Sequence, residues 1–256
     1  IMSKLPKQYQ FLDLSDYGRT PARWIANSLK NTWLTPIHVT TLFIISGLLA
    51  IASIIYGYYF LAAFFLVLKS ILDAADGELS RLKNTPSYVG RYYDSIADLI
   101  LNFFFLLSFW YIGEQSFLFM LLAFFLIQMQ GTVYNFYYVI LRNSVNGDST
   151  SRVFEDKAPI ALKGEKQSTV NSFYKIYDIL YIIFDKCMYL MDNKASQCKP
   201  FPKWFMTIVS FFGLGFQLLI MAVMLVFRME MYIIPFFIFS SILIVLFIGI
   251  RKLFLK

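Results

Sequence analysis

The sequence predicts an all-α integral membrane protein with six transmembrane helices, an N-terminal interfacial amphipathic helix, and both termini in the cytoplasm. Three observations support this fold class. The 256 residues are 58% hydrophobic, with a mean hydropathy of +0.60, which is outside the range of soluble domains. The apolar residues form runs of about 20, the length that an α-helix needs to cross a bilayer. The basic residues are concentrated on one side of these runs.

Residues 1–35 are predicted to form a cytoplasmic interfacial segment. Within it, PARWIANSLKNTWL alternates apolar and polar residues at helical spacing. Trp24, Ile25, Leu29 and Trp33 oppose Arg23, Asn27 and Lys30. A helix lying on the membrane surface and anchored by its tryptophans accounts for this pattern. The alternative is that this segment is a soluble stretch that precedes the first membrane span.

Residues 36–256 are predicted to form the six-helix transmembrane domain. Its apolar runs cover approximately 37–57, 60–80, 95–113, 116–140, 205–227 and 231–250. All but two of the 23 Lys and Arg residues lie at the termini, between the second and third runs, or after the fourth. The two exceptions are Lys69 and Arg228. The positive-inside rule therefore predicts cytoplasmic termini.

The net charge of +7 indicates attraction to anionic membrane lipid and not to nucleic acid, because the basic residues flank hydrophobic spans. The long polar segment at about 142–203 is predicted to be a cytoplasmic loop that contains a second amphipathic helix. The apolar face of that helix repeats at steps of three and four residues, at Val170, Phe173, Tyr177, Leu180, Phe184, Met188 and Met191.

Four carboxylates lie at the predicted inner ends of helices two and three. Asp73 and Asp76 are three residues apart, and Asp94 and Asp98 are four apart, so each pair occupies one face of its helix. Charged groups at the edge of apolar spans need compensation by positive charge. Clustered oxygen ligands favour Mg²⁺, Mn²⁺ or Ca²⁺ over zinc. Two such ions are a familiar means of binding a diphosphate.

Two glycines and an arginine accompany the carboxylates. Gly77 and Gly90 leave room for a ligand or a neighbouring backbone, and Arg81 can offer its planar guanidinium to a phosphate. Taken singly, each feature has an ordinary explanation, since an Asp often caps a helix and a Gly often serves helix packing. The fixed spacing of the whole set favours a functional site.

The segment from Asp73 to Asp98 resembles the signature of the CDP-alcohol phosphotransferase (CDP-alcohol phosphatidyltransferase) family, D-x2-D-G-x2-A-R-x8-G-x3-D-x3-D. Every spacing agrees, and one position differs, because Ser80 stands where the family has Ala. The resemblance implies that a hydroxyl attacks the β-phosphorus of a CDP-alcohol and releases CMP. It also implies a homodimer and a catalytic domain within residues 36–256.

The resemblance implies roles for individual residues. Asp73, Asp76, Asp94 and Asp98 would bind two divalent cations, Mg²⁺ or Mn²⁺, and Asp98 would also be the general base. Gly77, Arg81, Gly90 and Asp73 would bind the nucleotide. Thr40 would join them, because residues 36–40 (PIHVT) resemble a family segment P-N-x-V/I-T, with Ile37 in place of Asn.

Three basic residues are candidate acceptor or phosphate contacts. Lys69 lies one turn before Asp73, and could instead extend to the interface or pair with that carboxylate. Arg142 and Arg152 flank NGDSTSR after the fourth run, where attraction to lipid is the alternative.

Several functional questions stay open at this level. A divalent-cation transporter could use the carboxylates as a transit site, although the first, fourth, fifth and sixth runs contain no acidic residue. A noncatalytic scaffold gives no reason for the spacing.

CDP-diacylglycerol is the simplest donor for a site at the lipid interface, with CDP-choline and CDP-inositol as alternatives. The acceptor alcohol is not determined, and inositol-phosphate-type and serine acceptors both match parts of the motif. The site is expected to face the cytoplasm.

Overall fold

The computed structural model describes residues 5–145 and 157–255, and these ranges contain no β-strand. The ten α-helices in them are α1 Arg19–Leu29, α2 Pro36–Ile55, α3 Tyr59–Lys83, α4 Tyr88–Ile112, α5 Phe117–Ser144, α6 Gln167–Asp192, α7 Lys203–Val209, α8 Leu214–Val226, α9 Ile233–Ser240 and α10 Ile242–Phe254. Short 3₁₀ turns at Lys7–Tyr9, Leu14–Asp16, Ala195–Gln197, Ser210–Phe212 and Glu230–Tyr232 complete the described structure.

Four helical segments among the described residues are long and apolar enough to cross a membrane: Pro36–Ile55, Tyr88–Ile112, Phe117–Ser144 and Glu230–Phe254. A fifth candidate, Lys203–Val226, is bent by 54° at Gly213, whose backbone is extended and interrupts the helix. Four or five spans are consistent with a multi-pass membrane protein. The predicted second span, α3, is 25 residues long but carries Lys69, Asp73 and Asp76 and is less apolar for that reason. The count of six therefore stays a prediction.

The helices pack around two apolar cores. Helix α3 packs against α1, α2 and α8, and α4 packs against α2, α5 and α6. One core lies between α2, α3, α4, α5, α8 and α9, and includes Phe43, Leu66 and Phe105. The other joins α5 to α6, α7 and α10. The two helices that carry the aspartates are thus held on several sides.

Helix α1 lies within the predicted N-terminal interfacial segment, whose position at a membrane surface stays a prediction, and the apolar residues of this segment divide between two environments. Ala22 and Ala26 are fully buried, and Ile25 packs beside them against α3, because the small alanines let the two helices approach closely. Trp24 and Trp33 are 73% and 78% exposed, as side chains that anchor in lipid would be. The predicted apolar face of the loop helix is confirmed by α6, in which Val170, Phe184 and Met188 are buried.

Residues 5–18 form a strap across one end of the helices, a feature that the sequence did not predict. Leu5 is buried in the second core, and the Leu14 amide donates a hydrogen bond of 2.9 Å to Ser210 Oγ. Ser15 lies so close to α8 that a Cβ added at Gly215 would be 2.0 Å from the Ser15 carbonyl oxygen. The Tyr134 hydroxyl on α5 donates to Asp13 Oδ2 at 2.5 Å. The strap therefore depends on a side chain being absent at residue 215.

We expect Gly215→Ala to lower the free energy of unfolding by about 1–3 kcal/mol, because the new methyl group overlaps the strap backbone. The matched control is Gly131→Ala in the interior of α5, where an added Cβ meets nothing within 4 Å. SDS titration of the purified protein in mixed micelles measures both. Equal stability of Gly215→Ala and wild type would show that the strap does not pack as described.

A buried ion pair joins the end of α6 to α10. The Asp192 carboxylate accepts hydrogen bonds from Arg251 Nε at 2.6 Å and from the Tyr137 hydroxyl at 2.7 Å. Asp192 and Arg251 are only 1% and 5% exposed. The pair connects three helices, because Tyr137 lies on α5.

Candidate metal and nucleotide site

Three of the four predicted ligands meet in one cluster. Asp73 and Asp76 project from the last half of α3, and Asp94 from the second turn of α4. One carboxylate oxygen from each lies within 4.8 Å of the others. Spacing by three residues places the first pair on one face of α3, and α4 supplies the third carboxylate from across the helix pair. The arrangement can surround a single ion with oxygen atoms.

Two details of the cluster fit a divalent cation. Thr40 Oγ1 on α2 lies 2.6 Å from Asp76 Oδ2 and donates a hydrogen bond to it, which fixes the orientation of that carboxylate. The Asp94 Oδ1 atom is buried and has no hydrogen-bond partner among the residues that the structure describes. A buried carboxylate oxygen is costly to leave unpaired. An all-oxygen donor set with one unpaired oxygen suits a hard divalent cation such as Mg²⁺, Mn²⁺ or Ca²⁺.

Asp98 lies one turn beyond Asp94 on α4, and its partner is Lys69. The Lys69 ammonium donates to Asp98 Oδ1 and also to Asp73 Oδ2, at 3.0 Å in the second case. Lys69 is 1% exposed, so it does not extend to the surface of the protein. The structure thus brings all four aspartates into one connected group, with Lys69 between the fourth and the first.

Three predicted nucleotide residues, Gly77, Arg81 and Gly90, lie on α3 and α4 within about five residues of the clustered aspartates. The Arg81 guanidinium would be 3.6 Å from a Cβ added at Gly77, so the glycine leaves open space beside the guanidinium. Gly90 is in the first turn of α4, where its amide donates to the capping Ser87 hydroxyl at 2.8 Å. Their assignment to the nucleotide stays a prediction.

The buried carboxylate of Glu78 contacts three arginines near this site. Glu78, 6% exposed, accepts a hydrogen bond of 2.6 Å from Arg19 on α1. The same carboxylate lies 3.6 Å from Arg23 and 3.3 Å from Arg81. Glu78 thereby fixes α1 to α3 and holds Arg81 beside Gly77. Sequence reasoning missed Glu78, because a single acid between two motif residues carries no pattern.

The remaining two basic candidates are placed differently. Arg142 is in the last turn of α5, 5% exposed, with its guanidinium carbon 5.8 Å from the Tyr138 ring centroid. Its burial disfavours simple attraction to the lipid surface. Arg152 lies outside the described residues.

Helix α6 and the segment before it cover the start of α4. The Glu165 carboxylate accepts hydrogen bonds from the Ser87 hydroxyl at 2.7 Å and the Val89 amide at 2.8 Å. Burial raises the pKa of the Glu165 carboxyl, but these hydrogen bonds outweigh it and hold the pKa below its ordinary value. The Tyr181 hydroxyl donates to the Ser95 carbonyl at 2.7 Å. The sequence predicted the apolar face of α6, but it did not predict that α6 packs against α4.

The comparison with protein-family models agrees with this geometry. The model of the CDP-alcohol phosphatidyltransferase family matches residues 33–163, about half of the chain, from the start of α2 to the segment before α6. The match includes the three clustered aspartates and Asp98. No curated protein and no solved structure gives a significant match.

Proposed function

The chain belongs to the CDP-alcohol phosphatidyltransferase family, and on this premise we propose that it transfers a phosphatidyl group from CDP-diacylglycerol to an alcohol, with release of CMP. The observation that carries the proposal is the cluster of Asp73, Asp76 and Asp94 with its unpaired buried oxygen. The family uses a divalent metal, and these carboxylates provide the oxygen ligands that such an ion requires.

In the proposed reaction, Asp98 removes the proton of the acceptor hydroxyl. The hydroxyl oxygen forms a bond to the β-phosphorus, the bond from that phosphorus to the bridging oxygen breaks, and CMP leaves with that oxygen. Asp73, Asp76 and Asp94 would hold the first divalent cation, and Asp98 would share a second. When bound, the cations supply positive charge that neutralises the diphosphate.

The other residues orient the donor. Arg81, held by Glu78, offers guanidinium donors beside the open space at Gly77, which suits a phosphate oxygen of the nucleotide. Thr40 keeps the Asp76 carboxylate in position. Gly90 leaves the first turn of α4 without a side chain at the same end of the site.

Membrane location, substrates and assembly follow as parts of the same proposal. The aspartates lie near the ends of apolar helices, where the diphosphate of a lipid donor can reach them. The distribution of basic residues favours a cytoplasmic orientation of this end. The acceptor is an alcohol that is yet to be identified, and a homodimer is the assembly that the family favours.

A cation transporter is the alternative from another functional class, and family membership disfavours it. Flux of a divalent cation into vesicles without CMP production would support the transporter instead.

Metal removal provides the first test. We expect purified protein to release CMP from CDP-diacylglycerol in the presence of a panel of alcohols and Mg²⁺ or Mn²⁺. Chelation with EDTA should lower the rate by about hundredfold or more, because the ions contribute several kcal/mol of charge stabilisation. Added Mn²⁺ should restore it. CMP release that persists after chelation would refute the metal-dependent mechanism, and radiolabelled donor would identify the lipid product.

A further inference from the structure

Lys69 is a buried cation whose two partners both belong to the aspartate group. It lies on α3 one turn before Asp73, and its ammonium bridges Asp73 and Asp98. The same ammonium lies 4.5 Å from the centroid of the Phe43 ring on α2. Three helices therefore fix its position, and a buried ammonium is stable there only because carboxylates pair with it.

The ion pairs of Lys69 place the four aspartates in different environments. Asp73, Asp76 and Asp94 have oxygens within 4.8 Å of one another, whereas Asp98 is outside that group and bonded to Lys69. Among the three clustered carboxylates, Lys69 donates a hydrogen bond to one oxygen, Asp73 Oδ2. An ion that used Asp98 as a ligand would lie next to the ammonium and would be repelled by it.

We propose that Lys69 is a built-in counter-ion of Asp98 that makes the two divalent-cation sites of this protein unequal, one tight and one weak. The inference rests on the proposed function, which supplies the two-cation assignment. Lys69 acts through Asp98 and is a positioning residue. The charge of Lys69 also makes filling of the weak site depend on the donor. The negative diphosphate of the donor offsets the repulsion between Lys69 and the second cation, so the weak site is favoured only when the nucleotide is present.

The test is Mn²⁺ binding to purified protein in nanodiscs, without donor or acceptor, measured by the electron paramagnetic resonance signal of free Mn²⁺. Wild type should bind one Mn²⁺ tightly and a second at least about tenfold more weakly. Lys69→Met should tighten the second site by about tenfold or more, because the competing charge is gone. Lys69→Arg, which keeps the charge, should keep the sites unequal.

The matched control is Lys83→Met on the same helix. Lys83 Nζ donates to the Thr32 and Leu34 carbonyls and contacts no carboxylate of the cluster, so Mn²⁺ binding should match wild type. Equal sites in wild type, or unchanged or weakened Mn²⁺ binding in folded Lys69→Met, would overturn the inference.

A second measurement applies if Lys69→Met does not fold. Adding CDP to wild type should tighten the second Mn²⁺ site by about tenfold, because the diphosphate offsets the Lys69 charge. No change on adding CDP would overturn the inference. CMP release together with Mn²⁺ binding that is independent of Lys69 would refute this inference alone. Mn²⁺ binding that responds to Lys69 in protein that releases no CMP would refute the proposed function alone.

Discussion

Replacing Asp98 with Asn is expected to lower CMP release by about a hundredfold to ten-thousandfold, the usual contribution of a general base. The amide has nearly the same shape as the carboxylate, so the packing between α3 and α4 should persist. It cannot accept the hydroxyl proton, and an unassisted hydroxyl is a poor nucleophile. Single-turnover CMP release at saturating donor and Mn²⁺ measures the effect.

Glu114→Gln is the matched control for Asp98→Asn, because it makes the same chemical change at an exposed acid beyond the far end of α4. That position is about 25 Å from the site by helical rise, and its turnover should equal that of wild type. Saturating Mn²⁺ separates the two roles of Asp98, since weakened ion binding is then compensated whereas a missing base is not. Full turnover of Asp98→Asn would exclude it as the base.

Replacing Arg251 with Met should lower the free energy of unfolding by about 3–5 kcal/mol, because the Asp192 carboxylate then stays buried without its counter-charge. Within residues 5–145 and 157–255, the Tyr137 hydroxyl is then the one remaining hydrogen-bond donor to this carboxylate. SDS titration in mixed micelles, followed by tryptophan fluorescence, measures the change.

Two further variants test this explanation. Lys252→Met makes the same substitution at the next, exposed residue of α10 and should change stability little. Adding Asp192→Asn to Arg251→Met should recover part of the loss, because the unpaired charge is removed. If the double variant is as unstable as Arg251→Met, the loss reflects packing of the arginine and not the buried charge.

The clustered aspartates were easier to predict from the sequence than the residues that hold them in position. Regular spacing identified Asp73, Asp76 and Asp94, because helical geometry converts intervals of three and four residues into proximity. The same spacing gave a pair between Lys69 and Asp73 as one of three alternatives, and the structure shows this pair. The spacing could not predict the contact with Asp98, since pairing between helices depends on how α3 and α4 pack.

The remaining differences have similar physical causes. Hydropathy averaged over a span does not register the break at Gly213, because a single extended residue hardly changes the average. The strap has no periodicity at all, and its contacts are made by small polar groups such as Asp13 and Ser15. Glu165 was missed for the same reason, as one acid in a polar loop.

The strap has a consequence for biosynthesis. Leu14 and its partner Ser210 are 196 residues apart, so during translation the strap leaves the ribosome long before the turn and helix that receive it exist. The strap cannot pack while the intervening helices insert, and it can reach its final position only after α8 has been synthesised. The strap also contacts α3 close to Asp73, because a Cβ added at Gly18 would be 3.0 Å from Ile71. The surroundings of the aspartates are therefore among the last parts of the fold to be completed, even though the helices bearing the aspartates are made early.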